Sequence, residues 1–140
     1  MKKGTSLIET VVIIFILAVL LQVGAVSFHR MEPRYRLQAA VWEILSQLNH
    51  ARFQAILDGT PVRIRFSPGY YALEEWDQEQ NTWGRAAVSI VQGIMLSANN
   101  APVFHPEGTV SNLATITVSN AQGVFKITLA ITGRAKATRL

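Results

Sequence analysis

There is no cysteine in this chain of 140 residues. That removes disulfide frameworks, thiolate nucleophiles, cysteine zinc sites and iron–sulfur clusters. Charge is sparse, at 16% of residues. Aspartate occurs only as Asp58 and Asp77, and histidine only as His29, His50 and His105. No two histidines stand at metal-ligand spacing, and no nucleophile elbow surrounds a serine. The sequence therefore points neither to an enzyme nor to a bound metal or cofactor. Internal repeats and low-complexity linkers are missing too, and the length suits one modest domain.

What is abundant is apolar sequence. Hydrophobic residues make up 49% of the chain, and the mean hydropathy of +0.23 is high for a domain of this size. The excess is concentrated: Val11 to Leu21 is apolar without a break, and the stretch runs loosely on to Phe28. As a helix, Leu7 to Phe28 would measure about 33 Å, close to the thickness of a bilayer core. Formal charge is +4. Lys2 and Lys3 account for two of the 13 basic residues, and the remaining 11 stand against 9 acids. Those two lysines should stay cytoplasmic, which sends the C-terminal part across the membrane, with Arg30, Arg34 and Arg36 at the far headgroups. Glu9 is out of place in such a segment. Unpaired, it costs roughly 1–3 kcal/mol depending on depth, so it is either solvated at the interface or paired with a group, best an amine, on another chain.

Met1-Lys2-Lys3-Gly4, then Thr5, an apolar run and a glutamate five residues after the glycine resemble the class III signal of type IV prepilins and pseudopilins. That resemblance implies cleavage between Gly4 and Thr5 by a prepilin peptidase and methylation of the new N-terminus. It also implies pairing of Glu9 with the N-terminal amine of a neighbouring subunit during assembly. Thr5 stands where phenylalanine is commoner. Two other readings of the same residues remain: a secretory signal peptide cut after Val23-Gly24-Ala25, and an uncleaved plain anchor. The resulting organisation is a leader over residues 1–4, a transmembrane or filament-core helix over 5–29 and a periplasmic domain over 30–140.

Beyond the apolar run the spacing turns helical at Leu37, Val41, Ile44, Leu45, Leu48, Ala51 and Ala55. This predicts one long helix over about 6–57, bent or locally melted near Pro33 and stopped by Asp58-Gly59 and Pro61. The period then becomes two. Strands are expected at Val62–Phe66 with Arg63 and Arg65 on the wet side, and at Tyr70–Trp76, Ala87–Leu96, Ala114–Ser119 and Val124–Ile131. The fold class is α+β, a long helix packed on an antiparallel sheet. Glu74, Glu75, Asp77 and Glu79 read as a solvated acidic hairpin in preference to a calcium site, since their spacing matches no EF-hand.

His50-Ala51-Arg52-Phe53-Gln54-Ala55-Ile56 followed by Gly59-Thr60-Pro61-Val62, together with Phe104-His105-Pro106-Glu107-Gly108 and the pair Gly123 and Gly133-Arg134, resemble H-type minor pseudopilins of type II secretion and FimT-like minor pilins. Gln54 replaces the usual glutamate. The resemblance implies a pilin-like fold and a non-enzymatic filament subunit at the inner membrane, whose partners are the prepilin peptidase and other pilins. Gly133-Arg134-Ala135-Lys136 also resembles a tail motif linked to DNA capture. On that alternative, Arg134, Lys136 and Arg139 would contact phosphates.

The processing reading makes the first prediction. Intact mass and N-terminal sequencing of membrane-extracted protein should show a chain beginning at N-methylated Thr5. A start at Val26 or at Met1 contradicts it.

Overall fold

A computed structural model describes residues 6–140, with the side chains of 23–31 outside the description. Gly4, Thr5 and the leader therefore lie outside the described residues. The chain divides into two units at Pro33 and Arg34. Helix α1 covers Leu7–Asp58, 52 residues, and continues through Pro33 without a melted turn. It starts with the Thr10 amide on the Ser6 carbonyl at 3.2 Å and ends at Gly59, whose φ of 65° is the left-handed stop that glycine adopts without strain. Among the described residues no helix is long and apolar enough to cross a membrane; those residues, with their side chains, take in the apolar run only as far as Gln22.

In the second unit, α1 buries Leu37, Ala40, Val41, Ile44, Leu48, Ala51 and Ala55. The three- and four-residue steps place all seven on one face. Leu45, expected in this set, falls at its edge and is partly buried, while Ala40 takes a central place.

Nine antiparallel strands follow: β1 Val62–Ser67, β2 Tyr70–Asp77, β3 Thr82–Ile90, β4 Met95–Ala98, β5 Val103–Phe104, β6 Val110–Ser111, β7 Thr115–Asn120, β8 Gly123–Leu129 and β9 Ala135–Arg139. They form two sheets, ordered β3-β2-β1-β5-β6 and β4-β7-β8-β9. Alternation sets what each strand buries: Val62 and Ile64 on β1, Ile116 and Val118 on β7, Ile127 and Leu129 on β8.

The division into sheets traces to one glycine. The run Ala87–Leu96 reads as a single strand, but Gly93 at φ 70° turns the chain between β3 and β4. β3 then pairs only with β2, and β4 pairs with β7 of the other sheet. The strand expected to reach Ile131 stops at Leu129, where Ala130 and Arg134 close the turn into β9. β5 and β6 have only two residues each, too few to show a period in sequence.

One side chain joins the sheets at the far end. Arg52 Nε donates to the Gly108 carbonyl at 3.0 Å, in the β5–β6 turn. It also lies against Gly133 in the β8–β9 turn, where an added Cβ would come within 2.6 Å of Arg52 Cδ. Beside it the Val110 amide donates to the Ile131 carbonyl at 2.9 Å, again bridging the two sheets. This accounts physically for an arginine and two distant glycines in the same chain.

Gly133 sits at φ 79°. Gly133→Ala should therefore cost about 1–2 kcal/mol for left-handed backbone and about 1 kcal/mol more for the displaced Arg52 hydrogen bond. In an Arg52→Ala background only the backbone cost should remain. Chemical denaturation of the two single variants and the double variant measures this coupling, and strictly additive losses would show that Arg52 does not hold the turn.

Candidate functional site

The acidic stretch of β2 is not a free patch. Glu74 is buried, 6% exposed, and accepts from Arg63 Nε at 2.7 Å, with a second Arg63 nitrogen on the same oxygen. Arg65 stands 3.5 Å from that oxygen. The Arg63 guanidinium also covers the Trp83 ring at 4.2 Å, and Trp83 meets Trp76 edge-on at 5.2 Å. Arg63, expected on the wet side, is thus held between a carboxylate and an indole. The β2–β3 pairing shifts by one residue here, from Leu73↔Ala87 to Glu74↔Arg85, with Ala86 of β3 as the extra residue. β2 keeps its register with β1, so Glu74 lies on the face of Arg63 and opposite to Leu73. Asp77 accepts from the Glu79 and Gln80 amides at 2.9 and 3.1 Å and so shapes its own turn. Among the described residues no three His, Cys, Asp or Glu side chains are placed to hold a metal.

Neither His50 nor His105 belongs to such a group. His50 is exposed on α1, and the His29 side chain lies outside the description. His105 Nε2 is 2.7 Å from Ser111 Oγ across the β5–β6 hairpin. This contact is exposed and braces a turn whose backbone is closed by the His105 amide on Thr109 and the Gly108 amide on His105.

Two features ask for a partner. The first is the N-terminal part of α1. Glu9 lies in its first turn, where a carboxylate is favoured by the helix dipole. Around it Leu7, Ile8, Val11, Val12 and the apolar residues on to Leu21 are all exposed. The second is the edge formed by β9. Strand alternation puts Arg134 and Lys136 on one face of the second sheet, with Lys126 through its neighbour Thr138. Arg139 falls on the other face, 6.0 Å above the Phe125 ring. The three tail cations proposed to act together are therefore split between two faces.

Sequence reasoning missed Arg52 and Trp42. Arg52 carried a signal only in the spacing of distant glycines. Trp42 is 72% exposed on α1, and nothing in the helical period distinguishes an exposed tryptophan beside a groove from one in plain solvent.

A helix with an uncovered apolar first part, whose later part is packed under antiparallel sheets, is the pilin type of architecture. Solved structures match it. EpsH, a minor pseudopilin of the type 2 secretion system of Vibrio cholerae, gives a TM-score of 0.63 at 11% identity, covering 74% of this chain and 97% of that one. The type IV minor pilin FimU of Pseudomonas aeruginosa gives 0.61 at 14% identity, covering 76% and 90%. At such identities these likenesses establish the fold. Among curated protein sequences there is no significant match. The family model for type II transport protein GspH matches residues 40–133, and the chain belongs to that family.

Gln54, which departs from the glutamate usual in the resemblance, has a partner that explains it. Its Nε2 donates to Glu75 Oε1, a contact that needs a donor on the helix, while Gln54 Oε1 is buried without a partner. Gln54→Glu would set two carboxylates against each other, with an expected loss of about 1–3 kcal/mol at neutral pH. Like charge raises the folded-state carboxyl pKa above its unfolded value. The penalty is therefore full above the raised pKa and lifts as pH falls through it, when one proton restores an O–H···O bond. Urea denaturation of both proteins between pH 7 and pH 4 tests this; a variant deficit that does not shrink on acidification contradicts it.

Proposed function

We propose that the chain is a minor pilin-type subunit that acts by assembly and not by catalysis, either in a type II secretion pseudopilus or in a type IV pilus. The observation that carries this reading is Glu9, an exposed carboxylate in the first turn of a helix whose apolar residues are also exposed. A lone domain gains nothing from such a helix in water. The hydrophobic effect drives it into lipid or into a bundle of similar helices. On this reading the chain is held in the inner membrane by residues 5–29 with its domain in the periplasm. It is cut between Gly4 and Thr5 by the prepilin peptidase and methylated, then transferred into a filament where Glu9 meets a neighbour's terminal amine. Away from water a carboxylate left without its ammonium partner is strongly unfavourable, so the pairing selects subunits and sets their axial register.

The DNA-capturing alternative rests on Arg134, Lys136 and Lys126 as one acid-free face, with Arg139 outside it. Three phosphate contacts would give sequence-independent binding with a log affinity against log salt slope no steeper than about −3.

The test of the main reading is Glu9→Leu. Membrane insertion, cleavage and the domain's melting temperature should be unchanged, while co-purification with other pilins of the host falls at least tenfold. Normal incorporation of the Glu9→Leu protein refutes the pairing role.

A further inference from the structure

β9 is the open edge of the second sheet, bonded on one side to β8 only. The Ala130 amide donates to Arg134 and the Leu140 amide donates to Val124, and with the register Lys136↔Thr128 and Thr138↔Lys126 this fixes which residues face inward. The even-numbered residues of the strand spend their amides and carbonyls on β8. Those of Ala135, Ala137 and Arg139 point away from it, a free row of alternating donors and acceptors.

The side chains of Ala135 and Ala137 point toward α1, and both are small. They leave a groove of about 400 Å³ between β9 and the helix. Val41, Trp42 and Leu45 form its helix wall and Phe125 its base, with Gln38 and Lys136 also lining it. Trp42 remains mostly exposed above it. Larger residues at 135 and 137 would fill this space from within the chain; alanines leave it to be filled from outside.

The charge carried by β7, β8 and β9 has one sign. No acidic residue follows Glu107, so β7, β8 and β9 and the turns between them carry Lys126, Arg134, Lys136 and Arg139 without an acidic side chain. Lysine on an edge strand commonly serves to repel other strands. That account covers Lys136, but not the vacant apolar groove beside the same edge.

We infer that β9 is a strand-addition site for an extended segment of a partner chain in which apolar residues alternate with acidic ones. The partner's backbone bonds Ala135, Ala137 and Arg139. Its apolar side chains enter the groove beside Trp42, and its carboxylates fall on the opposite face, with Lys136 and Arg134. Period-two alternation is what allows one strand to satisfy both faces at once. This inference needs only the second unit and does not rest on membrane anchoring or filament entry, so it and the Glu9 experiment fail independently.

The test uses the full chain in detergent micelles and a labelled ten-residue peptide alternating Val and Glu. Fluorescence anisotropy should show saturable binding. A Val–Lys alternating peptide, and a peptide of the same Val and Glu content in two blocks, should each bind at least tenfold more weakly. Hydrogen exchange at the Ala135, Ala137 and Arg139 amides should slow when the alternating peptide is bound. Ala137→Pro removes an outward donor while leaving the β8 ladder its bonds, and it should weaken binding at least tenfold at unchanged melting temperature. Lys136→Glu should do the same, and decides the matter should the proline variant fail to fold. Equal binding of the block and alternating peptides, or unchanged amide exchange on binding, would overturn the inference in favour of a simple polyanion patch. Binding of double-stranded DNA that the alternating peptide cannot displace, with Ala137→Pro binding the peptide as the parent does, would overturn it too.

Discussion

The buried face of α1 between Leu37 and Ala55 is the constraint on which the domain depends. Ile44, Leu48, Ala51 and Ala55 are at most 1% exposed, and both sheets use this face as the floor of their core. Each fully buried leucine or isoleucine there contributes about 1.5–3 kcal/mol by leaving water. The alanines at 40, 51 and 55 matter by what they lack, since a larger residue would hold the strands off the helix. Neither sheet could be stable alone, because a few antiparallel strands need a second layer over their apolar side.

Around that face the few polar side chains are used as fasteners. Tyr71, buried on β2, donates its hydroxyl to Glu43 of the helix at 2.8 Å. Burial pushes the Tyr71 pKa up, and the Glu43 carboxylate adds to that rise against an opposing hydrogen bond with Ser89. Gln54 reaches Glu75 of the same strand, and Arg52 reaches the turns that follow β5 and β8. Arg63 and Arg65 of the first sheet both face a carboxylate, Glu74. The second sheet has no acid to spend on its cations, and that asymmetry leaves the β9 edge as the basic, unpartnered part of the domain.

The proposed role joins two surfaces with opposite physics. Apart from Glu9 and Thr10, residues 7–21 are apolar, and on the proposed reading lipid and a helix bundle compete for them on nearly equal terms. In that proposal Glu9 tips the balance where an amine is offered. The β9 edge is the reverse case, in which backbone geometry and charge select the partner and the apolar contribution is confined to one groove.

Residue order alone was enough for the long helix, its core face, its stop at Gly59 and the strands β1, β2, β7 and β8. These follow from local periods and from glycine and proline, which act over a few residues. What the sequence could not contain was the partition into two sheets, because a single left-handed Gly93 inside an apolar run does not say which strand will be met next. The burial of Glu74, the bridging by Arg52 and the splitting of Arg139 from Arg134 and Lys136 also depended on strand register. Register is settled only when distant segments pack on the same helix face, and that packing, not any local preference, decided which charges are neutralised and which edge stays open.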